Sequence, residues 1–187
     1  LGRLLDVERA TFFNVLSFME GHRPEFEGKK VFINSIPGYQ LNEKDSNTVA
    51  GKMSTFNGSI VVELTEKAEA SDEYLSEMKD KFEKLGVETA VDDYGTGYSN
   101  IVNLLRYMPD YVKIDRMLLT GIQDNPHKQH FVKDIVLFAH DNHFKVLAEG
   151  VETKEEYELL KAWGIDMIQG YYFAKPMPAK EYEVRMV

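Results

Sequence analysis

The sequence predicts an incomplete (β/α)8 barrel, and three features of its 187 residues lead to this α/β fold class. Short apolar runs alternate with amphipathic helical segments, which is the order of a parallel sheet covered by helices. Successive runs lie 20 to 36 residues apart, enough for a strand, a helix and a return loop. Each run also carries a polar residue at or near its end. An open doubly wound sheet fits the alternation too, but it binds ligands at one switch point. A barrel collects the ends of many strands, so we favour the barrel.

Six runs are recognisable as strands, two fewer than a complete barrel contains. They are KVFINS, SIVVELTE, VETAVDDYG, DYVKID, FKVLAEGVE and DMIQGYYF. Their polar residues, in the same order, are Asn34, Glu63, Asp92, Lys113, Glu149 and Gln169. Because a barrel places its site at the carboxyl ends of the strands, these six side chains are the first candidates for function.

The remaining segments predict helices. Residues 4–20 have apolar residues at helical spacing before the first strand. SDEYLSEMKDKFEKLG has the same spacing, with Ser71 as N-cap and Gly86 as the stop. HKQHFVKDIVLFAHDN is a further helix, and TKEEYELLKAWG opens with a capping box formed by Thr153 and Glu156.

Composition indicates an ordinary globular chain, and we expect a single domain over residues 1–187. The net charge of −9 argues against binding of DNA or RNA polymers, which requires clustered Lys and Arg. The negative net charge does not exclude a small anionic ligand, since bound divalent metals can reverse the local electrostatic field. The lack of cysteine excludes disulfides and thiolate metal sites. No apolar run reaches the roughly 20 residues of a membrane span, and we expect a cytoplasmic location without membrane contact.

Oxygen donors dominate the predicted strand ends. The acids expected at one barrel mouth are Glu63, Asp92, Asp93, Glu149 and Glu152, and Asn34 adds a neutral oxygen. Such a donor set suits a hard divalent cation, Mg²⁺ or Mn²⁺, and the absence of evident histidine or cysteine ligands makes zinc a weak alternative. Taken singly, each acid has an ordinary alternative as a helix cap or a loop acid. Five acids on one rim favour the metal site.

Asp92 and Asp93 are adjacent, and successive side chains of a regular strand point to opposite faces. At a strand end, where the ladder breaks up, both can turn towards a metal. One acid bridging two ions roughly 3.5–4 Å apart would remove their repulsion and form the clamp used for displacement at phosphorus. Gly95 and Gly97 then let the loop, with Tyr98 and Ser99, approach a ligand or partner, or they only make a turn.

Lys113 is the one basic residue among the strand-end positions. It would orient an attacking water or contact a phosphate, or else form a salt bridge that closes the barrel mouth. Glu149 would act as a general base if its surroundings raise its pKa, or as an acid that supports the ligands.

The histidines and the aromatic run near the C-terminus are two further features of the sequence. The five histidines lie on predicted helices or loops, and we expect them at the surface. In YYFAKP, Tyr171, Tyr172 and Phe173 would stack on a nucleobase or pack at the rim of the barrel.

The motifs NSIPGYQL, VELTE, VDDYGTGYSN, YVKIDR, LAEGVET and QGYYFAKPMP resemble, in order and spacing, those of the EAL-domain family. The resemblance runs from about residue 1 to residue 180 and rests on six motifs in register. It implies a modified TIM barrel and a metal-dependent phosphodiesterase, with two ions, that opens cyclic di-GMP to linear pGpG in bacterial second-messenger signalling. An inactive family member that binds cyclic di-GMP or a protein partner is the alternative.

The resemblance also assigns roles to residues. The expected metal ligands are Asn34, Glu63, Asp92 and Asp93, with Asp93 bridging. The expected catalytic group is Lys113, Glu149 and Glu66, the last as the acid that anchors the DDYGTG loop, a loop that also takes part in dimer contacts. The residues expected to bind substrate or support those that do are Glu152, Gln169, Asp115 and Tyr172. Tyr94 stands where the family more often has Phe.

One departure from the family pattern is large. The Glu-Ala-Leu segment of the first barrel strand, which supplies a metal ligand, is absent from this sequence. Residues 1–20 resemble a helix downstream of it, which accounts for six strands instead of eight. The chain begins without methionine, and we expect a fragment of a longer protein, homodimeric, with a sensory or GGDEF-type domain upstream. For the chain by itself we expect weak metal binding and poor turnover.

Overall fold

The computed structural model describes residues 2–36, 41–56, 58–65, 72–95 and 101–178. Within the chain, Cα positions group into two compact units. The first unit comprises Leu1–Asp93 and Tyr98–Tyr111, and the second comprises Tyr94–Gly97 and Val112–Val187.

The first unit alternates helices with parallel strands. Its elements are α1 (Gly2–Gly21), α2 (Arg23–Phe26), β1 (Val31–Ser35), α3 (Glu43–Met53), a 3-10 turn (Ser54–Phe56), β2 (Ile60–Thr65), α4 (Asp72–Lys84), β3 (Glu88–Tyr94) and α5 (Ile101–Tyr107). β1 pairs in parallel with β2, from Val31 opposite Ile60 to Ser35 opposite Leu64. β2 pairs in parallel with β3, from Val61 opposite Glu88 to Thr65 opposite Asp92.

The core of the first unit follows from the sequence pattern. On α1 the buried side chains are Phe12, Leu16 and Met19, spaced four and three residues apart as one face of a helix requires. In β2 the side chains from Ile60 to Leu64 are all buried, as expected of a central strand covered on both faces.

The second unit contains the remaining elements. They are β4 (Tyr111–Ile114), whose first residue belongs to the first unit, α6 (Arg116–Leu119), a 3-10 turn (Ile122–Asp124), α7 (Pro126–Asp141), β5 (Lys145–Ala148), α8 (Lys154–Ala162) and β6 (Met167–Ile168). β5 and β6 are parallel, with Leu147 opposite Met167 and Ala148 opposite Ile168. Fully buried side chains in this unit include Val112, Ile114, Leu119, Ile122, Val132, Val146 and Leu160.

The predicted elements are confirmed where they can be compared. All six strands are present, and the helices predicted over residues 4–20 and in HKQHFVKDIVLFAHDN correspond to α1 and α7. α4 ends two residues before Gly86, whose φ of +64° is the left-handed conformation of a helix stop. The capping box of Thr153 and Glu156 is formed at the start of α8. Ser71, the predicted N-cap of α4, lies outside the described residues.

The histidine prediction holds for four of five residues. His127, His130, His140 and His143 are exposed. His22 is only half exposed, because its ring stacks on Phe18 with centroids 4.1 Å apart and its Nδ1 lies 2.9 Å from the Phe18 carbonyl oxygen. Within the described ranges, no helix combines the length and the apolarity needed to cross a bilayer.

Candidate active site

Three of the predicted oxygen donors lie on one face of neighbouring strands in the first unit. Asn34 on β1 is directly opposite Glu63 on β2, and Glu63 is opposite Ala90 on β3. Asp92 is two residues beyond Ala90, so its side chain leaves the sheet on the same side. The side chains differ in environment, since Glu63 is 5% exposed, Asp92 is half-buried and Asn34 is exposed.

Asp93 departs from regular strand geometry. Its φ is +59°, a left-handed value that is uncommon outside glycine and is best tolerated by Asn and Asp. Its backbone N–H donates to Oδ1 of Asp92 at 3.0 Å, and its side chain is exposed. The backbone therefore breaks the strict alternation of side chains at the Asp92–Asp93 pair, where the sequence required such a break.

For the described residues, the convergence of the five acids on one rim stays a prediction. Within them, no three side chains of the His, Cys, Asp and Glu types lie close enough together to hold a metal. The register explains part of this, since Asp92 lies two residues beyond the position opposite Glu63. Carboxylate and amide oxygens are nevertheless the donors that Mg²⁺ and Mn²⁺ prefer, so the residue types fit the predicted metal. The metal-ligand assignments stay predictions.

Lys113 and Glu149 form an ion pair in the second unit. Nζ of Lys113 lies 2.8 Å from Oε1 of Glu149, and the lysine side chain is 4% exposed. Lys113 lies in β4, and Glu149 follows β5, where its backbone N–H donates to the Ile114 carbonyl. The salt bridge that the sequence allowed as an alternative is therefore present. A desolvated ammonium beside a carboxylate is also suited to bind a phosphate oxygen or a water.

The segment after β5 is closely packed. Gly150 has φ +68°, and a Cβ there would lie 2.6 Å from Cβ of Arg116. Val151 donates its N–H to the Gln169 carbonyl, and Gln169 donates to the Ala148 carbonyl. Gly170 approaches Val151 so closely that a Cβ would lie 2.1 Å from the Val151 carbonyl oxygen. These contacts place the exposed Gln169 next to the segment that carries Glu149.

The other predicted residues of the second unit have identifiable contacts. The carboxylate of Glu152 lies 3.6 Å from Nη2 of Arg116. Asp115 caps α6, accepting the N–H of Met117 at 2.8 Å. Tyr172 stacks on Tyr157 with ring centroids 5.1 Å apart, which is the packing alternative considered for the aromatic run.

The DDYGTG loop is described only in part. Glu66, Gly97, Tyr98 and Ser99 lie outside the described residues. Gly95 has φ +105°, and a Cβ there would lie 2.2 Å from Cδ1 of Leu118. Only glycine fits this approach without a shift of Leu118, so Gly95 serves close packing against another segment of the second unit.

Sequence reasoning missed Glu8 of α1. It is 3% exposed and accepts hydrogen bonds from Ser35 Oγ at 2.7 Å and from the Ile36 N–H at 2.8 Å. Burial raises its pKa above the ordinary value, and the two hydrogen bonds offset part of that rise. Glu8 thereby ties α1 to the end of β1, directly after Asn34. The signal in the sequence was an acid four residues before Phe12, on the apolar face of the helix.

Sequence reasoning also underestimated Glu156, which it placed only in a capping box. The side chain is 4% exposed and accepts three backbone N–H groups, from Gly121, Glu152 and Thr153. Burial acts to raise its pKa, but the three backbone hydrogen bonds and a further one with the Thr153 side chain outweigh it, and the pKa lies below the ordinary value. Gly121 and Glu156 are 35 residues apart in the sequence, so no local pattern predicts their hydrogen bond.

Comparison with known proteins places these residues in a family. The EAL domain profile matches residues 14–176. The chain is 40% identical over 125 residues to Cyclic di-GMP phosphodiesterase PdeR of Escherichia coli K12, which covers 66% of this chain and 19% of that protein. It is 31% identical over 166 residues to the blue light- and temperature-regulated antirepressor BluF of the same organism, covering 86% of this chain and 41% of that protein.

A solved structure is also similar to this chain. The fold superimposes on the manganese and cyclic di-GMP complex of Klebsiella pneumoniae BlrP1 with a TM-score of 0.80 at 27% identity, covering 91% of this chain and 45% of that one. The likeness confirms the predicted TIM-barrel-type fold class. With a match over most of its length, the chain belongs to the EAL domain family.

Proposed function

We propose that the protein is a metal-dependent phosphodiesterase that hydrolyses cyclic di-GMP to linear pGpG in bacterial second-messenger signalling. The observation that carries the proposal is the common face shared by Asn34, Glu63 and Asp92, followed by the left-handed Asp93. The relative named as a cyclic di-GMP phosphodiesterase and the manganese complex of a similar structure support the substrate and the metal.

In this proposal four residues supply the metal ligands. Asn34, Glu63, Asp92 and Asp93 would hold Mg²⁺ or Mn²⁺, two ions in all. The ions would neutralise phosphate charge and make a bound water more acidic. Glu8 holds the chain immediately after Asn34 through Ser35 and Ile36, which fixes the end of β1 that bears this ligand.

Two further residues supply groups that act on water and substrate. Lys113 donates to the attacking water or to a phosphate oxygen, and Glu149 accepts the proton that the water loses. The water oxygen bonds to phosphorus, one ester P–O bond breaks, and the leaving ribose oxygen takes up one proton, which balances the proton that Glu149 accepted from the water. The products balance as one linear dinucleotide with a terminal phosphate. Residues proposed to bind substrate or to support the site are Glu152, Gln169, Asp115, Tyr172 and Glu66.

The wider setting is part of the same proposal and follows from the family resemblance. We expect a cytoplasmic homodimer that acts on cyclic di-GMP and neither on DNA nor on RNA polymers. A sensory or GGDEF-type domain is proposed upstream in the full-length protein.

A second candidate function is a catalytically inactive module that binds cyclic di-GMP or a protein partner. The relative named as an antirepressor favours it. The lack of a three-acid metal cluster among the described residues is also compatible with this candidate.

The deciding experiment incubates the full-length protein with cyclic di-GMP and Mn²⁺ and separates the nucleotides by anion-exchange chromatography. We expect pGpG to accumulate and EDTA to abolish it. Equilibrium dialysis measures binding of cyclic di-GMP separately. If the nucleotide binds but is recovered unchanged, the inactive module is favoured. Running the present 187-residue chain in parallel tests the expectation of poor turnover for the chain by itself.

A further inference from the structure

Glu156 makes more hydrogen bonds than a capping box needs. In a capping box the side chain at this position returns to the backbone of the N-cap residue. Here Oε2 accepts from the N–H of Thr153 at 3.2 Å and from the N–H of Glu152 at 3.0 Å. Oε1 accepts from the N–H of Gly121 at 3.0 Å. The carboxylate therefore joins two segments that are distant in sequence.

These two segments both follow strands of the second unit. The first, residues 115–121, follows β4 and carries Asp115 and Arg116. The second, residues 149–153, follows β5 and carries Glu149 and Glu152. Their side chains also meet, through the 3.6 Å approach of Arg116 to Glu152.

The 149–153 segment is held along most of its backbone. Glu149 donates its N–H to Ile114 of β4, and Val151 donates to Gln169 after β6. Glu152 and Thr153 donate to Glu156. Glu156 is thus the anchor at the far end of a segment whose near end bears the Lys113–Glu149 ion pair.

We propose that Glu156 is a positioning residue, which fixes the 149–153 segment against the 115–121 segment and so holds Glu149 and Glu152 in place for phosphodiester hydrolysis. This inference rests on the proposed function. The lowered pKa agrees with it, because three N–H donors stabilise the ionised carboxylate. Misplacement of a reacting group by about 1 Å can cost 10²-fold in rate, so loosening this segment should affect turnover.

Glu156→Gln is the sharpest variant, since it preserves side-chain shape and removes one acceptor oxygen. Its amide nitrogen would face either the Gly121 N–H or the N–H groups of Glu152 and Thr153, donor against donor. Thr153→Ala is the matched control. It removes the bond from the Glu156 N–H to Thr153 Oγ1 and the contact of the Thr153 side chain with the Glu156 carboxyl group, and it keeps the three backbone N–H groups that the carboxylate accepts.

The test uses the full-length protein with cyclic di-GMP and Mn²⁺, together with amide hydrogen exchange of each variant. For Glu156→Gln we expect kcat to fall roughly tenfold or more with KM within about twofold, and exchange to rise in both segments. For Thr153→Ala we expect wild-type kcat and faster exchange only at the start of α8. Circular dichroism establishes that both variants are folded.

Exchange that is unchanged at Gly121 and also at Glu152 and Thr153 in Glu156→Gln would overturn the connection between the segments. Faster exchange with wild-type kcat would overturn the positioning role. An equal loss of kcat in Thr153→Ala would also overturn it, because a general weakening of α8 would then explain the effect. If the wild type itself forms no pGpG, the proposed function fails and the positioning role with it, whereas the exchange data still decide whether Glu156 joins the two segments.

Discussion

The strand ends of the two units differ in the kind of side chain they present. In the first unit they carry an amide and carboxylates, with Asn34 and Asp93 exposed and the backbone of Asp93 left-handed. In the second unit a buried lysine is paired with Glu149 at 2.8 Å, and the following backbone is hydrogen-bonded at several points. The first unit thus presents oxygen donors of the types that bind a divalent metal, and the second presents a buried cation paired with an acid.

Each unit also contains a buried glutamate, and the two glutamates differ in their hydrogen-bond donors and in the direction of their pKa shifts. Glu8 in the first unit accepts from one hydroxyl and one N–H, and burial leaves its pKa raised. Glu156 in the second unit accepts from three N–H groups, and its pKa is lowered. A hydroxyl can also accept a hydrogen bond, whereas a backbone N–H only donates. Ionisation is therefore favoured at Glu156 and disfavoured at Glu8.

The largest expected effect is on metal binding by Asp93→Asn. Loss of one carboxylate from the ligand set should weaken Mn²⁺ binding at least about a hundredfold, since even changes behind the ligands cost 10–100-fold. Asn tolerates the left-handed backbone that Asp93 adopts, so the fold should persist. Isothermal titration calorimetry with Mn²⁺ measures the affinity.

Lys113→Met is the matched control for that titration, because it changes the Lys113–Glu149 pair and leaves the proposed metal ligands intact. It should bind Mn²⁺ with wild-type affinity. Wild-type affinity in Asp93→Asn, or an equal loss in both variants, would contradict the division of tasks between the two groups.

The next effect is on turnover by Lys113→Met, which should reduce kcat roughly a hundredfold or more, as for loss of one transition-state donor. It also removes the Lys113–Glu149 ion pair, at a cost of about 1–3 kcal/mol in unfolding free energy. Adding Glu149→Gln should recover that stability without recovering kcat. Urea unfolding and initial rates separate the two effects, and recovery of kcat in the double variant would contradict the role of Lys113.

A smaller effect is the pH dependence of Glu156. Because its folded-state pKa is below the ordinary 4.5, its stabilisation is fully present above pH 4.5 and is lost as the pH falls through the lowered pKa. Glu156→Gln should therefore be less stable than the wild type by about 1–3 kcal/mol at pH 7. The difference should shrink in urea unfolding below pH 4.5, and a constant difference would show that the charge is not involved.

The smallest effect is expected for Glu8→Gln. Its raised folded-state pKa means that stability is highest below 4.5 and is lost as the pH rises through the raised value. Glutamine can accept from the Ile36 N–H and donate to Ser35 Oγ without ionising. We expect Glu8→Gln to equal or exceed wild-type stability at pH 7, by up to about 1 kcal/mol, and to lose that advantage at pH 4. If Glu8→Gln were clearly less stable than the wild type at pH 7, the raised pKa assigned to Glu8 would be contradicted.

The sequence was most informative where structure is local. The six strands, α1, α7 and the Thr153–Glu156 capping box depend on neighbours within a few residues, and all were predicted. The polar residues at the strand ends were recognised for the same reason, because each follows its own apolar run.

Features that depend on distant residues were not predictable. The bond from Gly121 to Glu156 spans 35 residues, and the contact of Glu8 with Ser35 and Ile36 depends on how α1 packs against β1. The register that sets Asp92 two residues beyond the neighbour of Glu63 is a property of strand pairing. For the same reason, the strand ends could be listed from the sequence, but the distances among their acids could not.

The most direct test of the central claim compares pGpG formation by the full-length wild type and by Asp93→Asn over a range of Mn²⁺ concentrations. The wild type should show saturable, EDTA-sensitive turnover, and the folded variant should form no product at Mn²⁺ concentrations that saturate the wild type. Wild-type turnover that persists in EDTA, or equal turnover by the two proteins, would contradict a metal-dependent phosphodiesterase centred on Asp93.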